Sequence, residues 1–167
     1  MSQSLTIRFA RRADGAVVLD LRRDDGTSTW QKRTGPVAEF FVVHDLTHYA
    51  VETTLGFAGG FYGLVAAGWD LADFGTPWPR GPLPDDALPA EMIVGCFDAQ
   101  RATGEQLTTE QCNTSVADCF ARLGRRPPIA VTDAQLDAIR VVLSDLVARW
   151  HSVTPGQELA LRYAPAR

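Results

Sequence analysis

Apolar and polar residues first alternate with a period of two. Residues 5–9 (LTIRF) set Leu5, Ile7 and Phe9 on one side, as a half-buried strand does. Ala13-Asp14-Gly15 marks a turn, and residues 16–21 (AVVLDL) read as a second strand. Asp25-Gly26 is a strong hairpin dipeptide before a third strand over residues 27–33 (TSTWQKR). The chain therefore opens as a three-stranded antiparallel meander, with Arg8, Arg22, Arg23 and Lys32 expected on its solvent face.

From Pro36 the period lengthens. Residues 36–56 (PVAEFFVVHDLTHYAVETTLG) read as a long helix, with Pro36 at the first helical position, Glu39 in the first turn and Gly56 just past the end. A second helical run, residues 59–73, is rich in small residues and is expected to lie close against the first. Four prolines in residues 75–84 (GTPWPRGPLP) exclude regular structure, and Trp78 makes this loop a candidate lid. Further helices are predicted from Pro89 to Ala102, from Thr109 to Leu123, and from an N-cap at Thr132 to Ser152. Residues 157–163 (QELALRY) alternate again and are expected to return to the N-terminal sheet. The pattern predicts an α+β fold, in which a small antiparallel sheet of three N-terminal strands plus the C-terminal strand packs against about five helices. Nothing in residues 1–167 marks a second domain.

Composition narrows the partners. A hydrophobic content of 46% and a charged content of 22% are ordinary for a globular chain long enough to bury a core. The net charge of -4 argues against a nucleic-acid partner. No segment has the apolar length of a signal peptide core or a bilayer span, so a cytoplasmic protein without a membrane partner is expected. Three cysteines without CxxC spacing point to reduced thiols.

The chemistry concentrates on the long helix. With His44 as the origin, His48 falls about 40° and Glu52 about 80° around the helix axis, in the sector of Phe41, Val51 and Leu55. Glu39, Thr47, Thr53 and Thr54 form the opposing polar face. Titratable groups thus point toward the core, where leaving them unpaired is expensive. A metal ion, a hydrogen-bond network or a wet pocket must satisfy them.

Two histidines at i and i+4 can present both imidazoles to one ion. His44-Asp45-Leu46-Thr47-His48 resembles the HExxH motif of the zincin metallopeptidases, on a helix that follows a small antiparallel sheet. The resemblance implies a divalent metal, zinc first, held by His44 and His48, with Asp45 in the place of the family's general base. It also implies a third ligand from a later helix, for which Asp70 or Asp73 is favoured over Glu91 or Asp98. Glu52 lies roughly 12 Å along the helix from His44, so it either joins His48 on the ion, fixes His48 by a hydrogen bond or acts as the base. This predicts a metal-dependent hydrolase acting on a small molecule or peptide through a metal-activated water. The alternative is a non-catalytic domain that binds a small molecule or a partner. Its His/Asp/Glu network is structural, and Tyr49, Trp69 and Trp78 line its pocket. A homo-oligomer is compatible with either. The two readings part on whether the histidine nitrogens converge on one point with a carboxylate or diverge into separate hydrogen bonds.

Overall fold

The structure, a computed structural model, describes residues 4–164. Four strands, β1 (Leu5–Arg11), β2 (Val17–Arg23), β3 (Ser28–Arg33) and β4 (Glu158–Tyr163), form one antiparallel sheet in the order β3-β2-β1-β4. The register follows the alternation read from the sequence. Ile7 lies opposite both Leu21 and Leu161, and Phe9 lies opposite both Leu19 and Leu159, so one face of the sheet is continuous hydrocarbon. The C-terminal strand does return to β1, as expected, and this brings the two ends of the described chain together.

Five helices complete the α+β fold: α1 (Pro36–Leu55), α2 (Phe61–Ala66), α3 (Leu88–Thr103), α4 (Thr109–Arg122) and α5 (Asp133–His151). Thr108 and Thr132 open α4 and α5 with capping boxes that use Gln111 and Gln135. Pro36 and Gly56 delimit α1 as predicted, with Gly56 at φ 70, a conformation few other residues adopt without strain. No helix among the described residues is long and apolar enough to cross a membrane.

α1 stands between two cores. On one side it meets the sheet, α2 and α5 through Ala38, Val42 and Leu46. On the other, Ala50 and Val51 pack with α3, α4 and the first half of α5. Glu39 fastens its first turn by accepting from Trp150 Nε1 at 2.8 Å and from Arg11 Nη1. Enclosure on two sides corrects the expected polar face: Thr47 is fully buried, and its hydroxyl donates to Val43 O at 2.7 Å.

Two further expectations are corrected. Arg23 is not on the solvent face. It follows Leu19 and Leu21 at a spacing of two, which puts it on the core side of β2. There Nε donates to Val65 O at 2.7 Å, and Nη2 donates to Trp69 O and Asp70 Oδ1. That contact also explains why residues 59–73 do not form one helix. The guanidinium takes up Val65 O near the end of α2 and Trp69 O beyond it, Gly68 turns left-handed at φ 105, and Asp70 starts a separate 3-10 turn over Leu71–Phe74.

Candidate functional site

The inward sector of α1 opens on a cleft of about 420 Å³. His44, Asp45 and His48 line it from α1, Arg33 from β3, Glu91 from α3 and Trp78 from the proline-rich loop. A larger hollow of about 760 Å³ lies on the open face of the sheet beside Arg8, Trp30 and Lys32.

The two histidine rings meet edge to face, with centroids 4.9 Å apart and planes at 73°, and each is held at Nδ1 by a different acidic side chain. His44 Nδ1 lies 2.8 Å from Asp98 Oδ2 on α3. Phe40 stacks on the His44 ring, and Arg101 reaches both Asp98 and the Phe40 face. Burial pulls the His44 pKa down, but the Asp98 hydrogen bond and charge outweigh it, and the net shift is upward.

His48 is 2% exposed and sits deeper. Its Nδ1 is 3.2 Å from Glu52 Oε1. Glu52, 1% exposed, turns its other oxygen to the start of α2, where Oε2 accepts from the amides of Tyr62 at 3.1 Å and Gly63 at 3.4 Å. A Cβ on Gly60 would stand 2.4 Å from the Glu52 carboxyl carbon, so only glycine leaves room for this approach. Burial drives the two groups in opposite directions, His48 down to about 4 and Glu52 up to about 8. At neutral pH both are uncharged. Oε1 takes the Tyr62 amide only at 3.4 Å, and with both groups uncharged a proton on Oε1 satisfies His48 Nδ1. The ring hydrogen then sits on Nε2, which is 3.8 Å from Glu91 Oε2 and too far for a hydrogen bond.

Asp45 is 7% exposed and lines the same cleft. Its backbone carbonyl accepts from Tyr62 Oη at 3.0 Å, but among the described residues no hydrogen bond reaches its carboxyl. Burial raises its pKa to about 7, against the charges of His44 and Arg33. Arg33 lies flat on Phe41, with its guanidinium carbon 3.5 Å from the ring centroid, and its buried Nε has no partner.

The structure thus brings His44, Asp45, His48 and Glu52 to one centre and leaves Asp70 and Asp73 outside it. Asp70 pairs with Arg23, while Asp73 accepts from the Asp70 amide and from Arg80 Nε. Their place is taken by Glu91 and Asp98, which the sequence ranks lower, and by Arg33, which no sequence pattern singles out. Trp78 is in the wall as expected. Tyr49 instead donates to Arg162 O at the sheet edge, and Trp69 packs on Phe74.

The donor set does not fit a zincin-like metal centre. Among the described residues no three His, Cys, Asp or Glu groups are gathered to hold one ion. The two Nδ1 atoms diverge into separate hydrogen bonds with Asp98 and Glu52, and Glu91 Oε2 stays 3.8 Å from His48 Nε2. Comparison with protein-family models, with curated proteins and with solved structures gives no match for this chain.

Proposed function

We propose that this chain is a small-molecule-binding domain whose cleft takes an uncharged polar group between Asp45 and His48. The observation that carries this reading is the Asp45 carboxyl, 7% exposed, without a hydrogen-bond partner and facing the cleft. Its oxygens are open to the cleft, so a bound hydrogen-bonding group can meet them directly, where the protein itself supplies no partner. His48 Nε2–H offers a donor beside it, and Asp45 offers an acceptor. The wall carries both signs of charge, Arg33 and Glu91, so a neutral group suits it better than an ion. With Asp45 titrating near 7, the same pair can also move a proton on the bound molecule.

Acetamide is a fitting probe, since one group supplies a donor and an acceptor. Titrated at pH 6.5 and followed by amide and imidazole NMR, it should shift resonances of His48, Asp45 and Glu91 with millimolar affinity. Replacing His48 by Phe, which keeps an aromatic ring without its nitrogens, should weaken binding about tenfold. Resonance changes confined to other surfaces would sink the reading. Stoichiometric zinc in the purified protein that disappears with His48 would replace it by the metal-centre reading.

A further inference from the structure

On the far side of Trp78 lies a second cavity, about 620 Å³, walled by Trp78, Leu83, Leu88 and Leu123. Trp78 and Leu83 also line the histidine cleft, so the two spaces share a wall. The outer one is apolar, with an Arg125–Asp85 ion pair among its lining residues. Leu123 is 51% exposed and Trp78 is 43% exposed. Trp78 is also held at φ 57, the left-handed region where a bulky side chain is strained. The loop fixes it there: its amide donates to Gly75 O at 2.6 Å, and its carbonyl accepts from Gly81 N at 2.8 Å. Strain at a residue that stands between a polar cleft and an apolar groove is explained if its indole has to occupy that wall.

We infer that the ligand is amphiphilic: a neutral hydrogen-bonding head lies in the cleft at Asp45 and His48, and an unbranched hydrocarbon tail runs past Trp78 into the groove against Leu83, Leu88 and Leu123. This inference rests on the small-molecule reading of the cleft and adds the class of the molecule. The head matches the unpartnered Asp45 carboxyl and the His48 ring, which line the cleft together. The tail matches a groove in which Trp78 and Leu123 are otherwise left about half in water.

The test is a series of linear primary amides from acetamide to octanamide, titrated into the full chain. Each methylene buried should tighten binding about fourfold, so octanamide should bind roughly 250-fold more tightly than butanamide. Leu123→Glu places a charge on an exposed helix end and should flatten that dependence while leaving acetamide binding as it is. Trp78→Gly, which suits φ 57, should flatten it as well, and this second variant guards against a fault peculiar to Leu123. His48→Phe should weaken every member of the series by a similar factor. Acetamide binding with no gain from chain length would overturn the amphiphile while sparing the cleft reading. A steep chain-length dependence that ignores both His48→Phe and Asp45→Asn would make the groove an independent apolar site and overturn the joined head and tail. Failure of every amide to bind overturns both.

Discussion

His48 shows how far a single side chain can be moved from its solution behaviour by its neighbours. An imidazole in water is largely protonated at pH 5, but His48 is nearly removed from solvent, and Glu52 beside it is uncharged and cannot compensate a ring cation. Its neighbour His44 is pushed the other way by Asp98. The two should therefore separate in an imidazole 15N titration. At pH 5.5 His48 is expected neutral with its hydrogen on Nε2, while His44 is protonated. A common midpoint near 6.5 for both rings would show that the Glu52 and Asp98 contacts do not set their charges. Half of this was legible in the sequence. The angular position of His44, His48 and Glu52 on one sector of α1 announced a buried polar centre. Which carboxylate would meet which ring was not, because Asp98 and Glu91 arrive from α3 and no local spacing connects them to α1.

Among the elements, the strands and the capped helices were the easiest to read. Period-two alternation, the Asp25-Gly26 turn and the threonine caps are local signals, and the structure keeps them. The second helix is shorter than its sequence pattern because its end is decided by Arg23, some forty residues earlier, which takes up carbonyls that a longer helix would need. The same close packing of α2 makes a contrasting pair of glycine substitutions informative. A Cβ on Gly63 would lie 1.9 Å from the Ala58 carbonyl oxygen, a backbone atom that cannot step aside. Gly63→Ala should destabilise the protein by about 3 kcal/mol or more. Gly95, inside α3 and exposed, has nothing within 4 Å of its missing Cβ, and Gly95→Ala should stabilise by about 0.5–1 kcal/mol through helix propensity and a less disordered unfolded chain. Urea unfolding midpoints of the two variants should move in opposite directions. Similar shifts would mean that α2 is free to relax away from the loop before it.

At the scale of the whole molecule, burying acids and a base in one centre ties global stability to pH. Asp45 is raised from 3.8 to about 7 and Glu52 from 4.5 to about 8, so the folded state holds both protons more tightly than the unfolded chain. Their stabilising contribution is complete at pH below the unfolded values and is lost as pH rises through the folded ones. His48 has the opposite sign. Lowered from 6.5 to about 4, it takes up a proton on unfolding between those values, and stability rises with pH across that window. Below pH 6.5 the groups partly cancel; above it the carboxyls act together, and the upward-shifted His44 adds to the decline. Stability should therefore fall between pH 6.5 and pH 8. Asp45→Asn isolates one share of that fall, because Asn cannot ionise and Asp45 has no hydrogen bond to lose. Relative to the wild type, the variant should gain about 2–4 kcal/mol on going from pH 4.5 to pH 8, the upper end being set by about 1.4 kcal/mol per pH unit. The His44, His48 and Glu52 contributions are common to both proteins and drop out to first order, although the His44 charge lowers the Asp45 pKa and narrows the window. Urea unfolding at the two pH values gives the difference directly. A difference that stays flat would place the Asp45 carboxylate in a solvated position. The cleft would then lack the buried acid on which binding of a neutral head depends.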